Sequence, residues 1–128
     1  MLFRSTVPEN STVTLSGNGF DPDNDPLTLT WTQIGGPTLA VTGSDTTTPS
    51  FTAPTVSFAQ GTIDLTFRLT VNDGFVNSGP STVIVHVFNT NAPPIANAGS
   101  DQSVNENDNV TLDGSLSSDP NQDTLTYA

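Results

Sequence analysis

Residues 21–25 read DPDND, and a strand-like run, PLTLTW, follows at once. Asp21, Asp23 and Asp25 alternate along the backbone, with Asn24 between the last two. Calcium takes six to eight oxygen ligands in flexible geometry. An extended or turning backbone aims alternate carboxylates toward one point, and a divalent cation reverses their mutual repulsion. Asp73, in the VNDG turn after the longest predicted strand, is placed to converge on the group, and Glu9 is a further candidate. A second copy, DPNQD at 119–123, offers Asp119, Asn121 and Asp123. It keeps two carboxylates and one amide, so it is expected to hold calcium more weakly. The competing reading is turn chemistry. Asp-Pro and Asn-Asp build Asx-turns in which a carboxylate accepts backbone N–H groups and no metal is involved. The 12-residue helix-loop-helix calcium pattern is absent.

Other chemistries find little support. His86 is the single histidine, and no G-x-S-x-G elbow accompanies it. There is no cysteine, which removes thiol chemistry and, with one histidine, argues against zinc. GNG at 17–19 lacks the rest of a phosphate loop. The net charge is −11, and Arg4 and Arg68 are the two basic residues. Phosphate backbones and anionic membrane surfaces would repel such a chain, so neither nucleic-acid binding nor membrane insertion is expected. No apolar run is long enough to span a bilayer.

The elements that must position these residues are strands. Ile63, Leu65, Phe67, Leu69 and Val71 alternate with Asp64, Thr66, Arg68 and Thr70. That period of two describes a strand with one wet face. The same alternation predicts strands at 11–17, 27–33 and 81–88, with shorter ones at 38–42 and 49–53. In the second of these, Leu27, Leu29 and Trp31 share a face, and Trp31 is expected in the core. Phe58 and Phe75 fall in loop and turn sequence and are candidate contact residues. No helical period is sustained anywhere. Six or seven short strands with turn residues between them predict an all-β fold, an antiparallel two-sheet Ig-like sandwich.

The chain also repeats itself. VPENSTVTLSG (7–17) returns as VNENDNVTLDG (104–114), and DPDNDPLTLT (21–30) as DPNQDTLTYA (119–128). Val7 recurs as Val104 and Asp21 as Asp119, offsets of 97 and 98 residues, about the length of one sandwich. Residues 1–91 are thus read as one repeat, and 92–128 as a connector with the opening strands of a second. Pro93-Pro94 makes the connector extended. The second repeat begins with IANAGSDQS (95–103), where the first has MLFRST, so the first is expected to lack its usual leading strand.

With IANAGSDQSVNENDNVTLDGSLSSDP, DPLTLTWTQIGGP, PSFTAP and LTFRLTVNDG in this order, the chain resembles PKD-type β-sandwich repeats of the REJ/K319L-like group over residues 7–128. The resemblance implies seven strands in two sheets, and an extracellular or cell-surface location in a bacterial or archaeal protein. It implies a non-catalytic spacer, adhesion or fibre-building module, with calcium near the ends of some related repeats. The alternative it carries is an accessory module binding a polysaccharide or surface polymer. A calcium-dependent hydrolase of an ester or lactone is a third reading, against which stands the lack of any predicted pocket. The incomplete leading strand of repeat one and the tail that carries one predict pairing with other copies of the chain, by strand addition or domain swapping.

Overall fold

The computed structural model describes residues 4–128. The chain divides into two compact units, Met1–Thr90 and Asn91–Ala128. The first contains all six strands: β1 (Arg4–Pro8), β2 (Thr12–Thr14), β3 (Thr28–Gly35), β4 (Ser50–Thr52), β5 (Thr62–Asn72) and β6 (Ser81–Phe88). They form two sheets, one ordered β1-β6-β5-β3 and the other β2-β4. The architecture is the two-sheet sandwich that the alternating pattern predicts.

Strand β5 is the spine of the larger sheet. It pairs antiparallel with β6, Leu65 opposite Val85, and with β3, Leu69 opposite Trp31. Its inward residues Leu65, Phe67 and Leu69 are buried, as are Val85, Val87 and Trp31 on its neighbours. Val13, Leu15, Phe51, Ala53 and Val56 complete the core. Phe51 and Phe67 meet with ring centroids 4.9 Å apart. The opposite face of β5 and β6 is wet. There Asp64 and His86 sit directly across the strand pair, with His86 Nδ1 2.5 Å from Asp64 Oδ1. His86 thus lies on the outer face, as the alternation of β6 predicts.

Trp31 is buried, and its indole N–H donates to the carbonyl of Thr46 at 3.1 Å. Gly17 makes that position available. A Cβ at residue 17 would lie 2.4 Å from Trp31 Cζ2 and 2.7 Å from Leu69 Cδ2, so only glycine allows the ring to pack there.

Two expectations are corrected. The first repeat, expected to lack its usual leading strand, has an edge strand ahead of β2: β1 pairs in parallel with β6, Thr6 opposite His86. Its residues 4–8 overlap the MLFRST stretch at 4–6 only. The second correction concerns 38–42, which forms no strand and makes one bridge, Thr42 to Ser50. A bulge between Gln33 and Gly35 and a positive φ of 87° at Gly36 turn the chain away. The Gln33 side chain then satisfies the backbone of this stretch, accepting from Leu39 N and donating to Pro37 O.

Glu9 follows β1 and is the one buried charged residue among those described. One carboxylate oxygen accepts from Val56 N at 2.8 Å. The other accepts from Thr90 N at 2.9 Å and Asn89 Nδ2 at 3.1 Å. It ties the end of β1 to the loop after β4 and to the end of β6.

The second unit has no buried residue and no strand. It is held by turn hydrogen bonds and one antiparallel bridge, Ile95 to Ser118. The repeat is nonetheless written into its backbone. Asn10 and Asn107 share positive φ (59° and 66°), as do Asn24 and Gln122 (62° and 65°), at the offsets found in the sequence.

Two outcomes are expected in urea unfolding. Trp31→Ala removes a buried aromatic and should cost about 3–5 kcal/mol; a loss below 1 kcal/mol would mean that the indole is not part of the core. Glu9→Ala leaves buried donors without an acceptor and should cost about 2–3 kcal/mol, with Glu9→Gln recovering part of it. Equal stability of Glu9→Ala and the parent chain would show that the network carries no weight.

Candidate functional site

The acidic run leaves the core just after Gly19 and turns before β3. Asp21 sets the turn. Its Oδ1 accepts from Asp23 N at 2.8 Å and Asp25 N at 3.1 Å, and Asn24, in the left-handed conformation, donates to Asp21 O at 3.3 Å. This is the hydrogen-bonding pattern of an Asx-turn. The second copy does the same: Asp119 Oδ1 accepts from Asn121 N at 2.7 Å and Asp123 N at 3.1 Å. Asn121 Oδ1 also accepts from Ala92 N at 2.7 Å, which fixes the start of that unit.

Asp73 caps the turn that links β5 to β6. Its Oδ1 accepts from Val76 N at 2.7 Å and Phe75 N at 2.8 Å. These donors hold its carboxyl below the usual carboxylate range, Val76 contributing most. Hydrogen bonds to the charged form always act in this direction.

The structure brings Asp21 and Asp73 to one place. Both line a surface cavity of about 360 Å³ at the β3-start and β5-end of the sandwich, with Asn18, Phe20, Leu27, Val71, Val76 and Asn77 among its other walls. Glu9 does not belong to this group. It neighbours Phe88, which pairs with Thr62 at the start of β5, whereas Asp73 follows the end of β5. An 11-residue strand separates the two, roughly 35 Å. Among the described residues, no three acidic or histidine side chains are grouped so as to hold a metal ion. The carboxylates at 21 and 73 have backbone N–H groups as their partners.

Around this cavity the surface is apolar as well as acidic. Phe20 is 85% exposed and Phe75 87%, with Val76 beside them at 65%. Phe75 was legible as a turn residue. Phe20 lies between the predicted strand at 11–17 and the acidic turn, where no pattern marks its exposure. Phe58, also exposed, belongs to the loop before β5, near Gln60 and Gly61, where Asn89 donates to Gly61 O. It is therefore at the Glu9 end. An exposed aromatic beside carboxylates and amides can stack on a sugar ring and accept from its hydroxyls. A pair of carboxylates already committed to turns is poorly placed for acid–base catalysis.

The Asp73 turn should respond to acid in a defined way. A carboxyl lowered in the folded state contributes stability above its unfolded value, about 3.9, and loses it as pH falls through the lowered folded value. Exchange protection of the Phe75 and Val76 amides should therefore persist at pH 5 and fall below about pH 4. An NMR titration of Asp73 with a midpoint at or above the value of a model peptide would contradict this.

Comparison with known proteins places the geometry in a family. Residues 5–87 match the K319L-like, PKD domain, and residues 91–128 match a PKD domain of a second type. Chitinase A of Pseudoalteromonas piscicida is 36% identical over 123 residues, which cover 95% of this chain and 14% of the chitinase. The chain thus spans a small part of that relative's length. Among solved structures, a nucleoside hydrolase-related protein from Saccharophagus degradans aligns with TM-score 0.48 and 23% identity, over 70% of this chain and 22% of that one. A sialyltransferase from Photobacterium damsela aligns with TM-score 0.46 and 16% identity, over 68% and 17%. The sandwich built on β5, the repeat at 97–98 residues and the two matched segments together mean that this chain belongs to the K319L-like PKD domain family, with a further PKD domain following the first.

Proposed function

We propose that this chain is a non-catalytic accessory module of a secreted, carbohydrate-active protein, and that it contacts polysaccharide. The observation that carries the reading is its 36% identity, along 95% of its length, to part of a chitinase. Similarity that extends over both repeats is what a shared accessory segment would produce. Chitin is accordingly the first polymer to test. The contact surface in this reading is the end of the sandwich where Phe20 and Phe75 flank Asp21 and Asp73. Aromatic faces provide rigid apolar area for a pyranose ring, and carboxylate and amide oxygens accept from its hydroxyl groups. The net charge of −11 suits an uncharged polymer and disfavours a polyanionic one.

A second reading, that of a spacer, has its own support. The two repeats stand in tandem, joined through 89–94 with Pro93-Pro94 in the connector, and proline-rich connectors are semi-rigid. The two roles are compatible in one protein. The spacer role requires no ligand.

Binding to insoluble polysaccharide separates them. The chain should be retained on chitin in a sedimentation assay, and Phe75→Ala should weaken retention roughly tenfold, as the loss of one stacking aromatic does. Phe75 is exposed and outside the core, so this variant should melt like the parent. If chitin, cellulose and other neutral polymers all leave the chain in solution, the contact reading fails and the spacer stands alone.

A further inference from the structure

The connector NTNAPP (89–94) is held by side chains at both of its ends. At the first end stands Glu9, buried just after β1. One of its carboxylate oxygens accepts from Thr90 N at 2.9 Å, Asn89 Nδ2 at 3.1 Å and Thr90 Oγ1 at 3.2 Å. The other accepts from Val56 N at 2.8 Å, and Asn89 Nδ2 also donates to Val56 O. Asn89 N donates to Gly61 O at 2.8 Å. Strand β6 ends at Phe88, yet the next two residues remain fastened to the first unit. Releasing them would strip a buried carboxylate of donors, which opposes release.

At the second end Asn121 Oδ1 accepts from Ala92 N at 2.7 Å. Asn121 is itself fixed, because its N–H donates to Asp119 Oδ1 at 2.7 Å in the Asx-turn. The rings of Pro93 and Pro94 lock their φ angles. Each proline also confines the residue before it to extended conformations, here Ala92 and Pro93. Ile95 then exchanges both backbone hydrogen bonds with Ser118, at 2.7 and 3.0 Å.

Asn91 is what remains. It is exposed, and among the described residues no hydrogen bond involves it. It is not a proline and does not precede one. The two compact units divide at this point, between Thr90 and Asn91. We infer that the connector is a hinge of one residue: Glu9 and Asn121 clasp its two ends, and the torsion angles of Asn91 carry the motion between the repeats. Rotation at one residue redirects the chain without adding slack, whereas a Gly/Ser-rich linker does both. The first clasp belongs to the repeat itself. Glu9-Asn10 returns as Glu106-Asn107, with both asparagines at positive φ, 59° and 66°. The hinge does not depend on whether the module contacts polymer or only spaces.

Backbone NMR of the full chain tests this residue by residue. The Thr90 and Ala92 amides should exchange about tenfold or more slowly than that of Asn91. Nitrogen relaxation should show two correlation times, one for each unit. Asn121→Ala should release the Ala92 amide and leave Thr90 protected, with the melting curve of the parent, because Asn121 lies outside the core. Glu9→Gln should speed exchange at Thr90 and leave Ala92 unchanged, while core amides such as Leu65 stay protected, which separates loss of the clasp from unfolding. Asn91→Pro fixes the remaining φ and removes no hydrogen bond, so the two correlation times should merge. Three results would each overturn the inference. They are exchange at Thr90 or Ala92 as fast as at Asn91, a parent chain that tumbles with one correlation time, and two times that persist in Asn91→Pro.

Discussion

Leu15 and Leu112 occupy equivalent places in the repeat, and their exposures are 5% and 82%. Val13 and Val110 differ in the same direction, 5% against 48%. The local sequences agree, and so does the left-handed backbone at Asn10 and Asn107. The difference is the second sheet. A strand of alternating pattern has one apolar face, and that face leaves water only when another layer covers it. Residues 4–90 supply β3, β5 and β6 to cover β2 and β4. Each buried valine, leucine or phenylalanine is worth about 1.5–3 kcal/mol, so the covering layer is what gives the first repeat its core.

The same condition accounts for the least expected residue in the first unit. A two-stranded sheet is narrow, and its ends need fastening to the four-stranded one. Glu9 does this at one end by accepting from Val56, Asn89 and Thr90. At the other end, where Asp21 and Asp73 sit, each carboxylate satisfies the backbone of its own turn. The acidic residues of this chain therefore serve two purposes. Glu9 is a buried tie between segments, and Asp21 and Asp73 are turn acceptors that leave one edge of their surroundings exposed to solvent. That end, with Phe20 and Phe75, is the chemically varied part of the surface.

The proposed contact with a neutral polymer rests on the acidic and aromatic end of this PKD sandwich, where exposed Phe20 and Phe75 stand beside Asp21 and Asp73.

Much of this was legible in the residues. Alternation in 61–71 and 81–88 predicted β5 and β6 with the correct buried faces, because a period of two has one solution when one face must be dry. Trp31 in the core, the 97–98 residue repeat and the turn at Asp21 followed from local chemistry of the same kind. What the sequence by itself could not determine was which distant segments meet. Glu9 was grouped with Asp21 because both are carboxylates, and only the length of β5 separates them. The stretch 38–42 alternates like a strand, yet Gln33 and the bulge beside it take its hydrogen bonds. No alternation marks residues 4–8 as a strand, and their parallel pairing with β6 makes them one. For Glu9 and for residues 4–8 the deciding partners lie tens of residues away, and for 38–42 the deciding feature is a nearby bulge and side chain that alternation does not reveal.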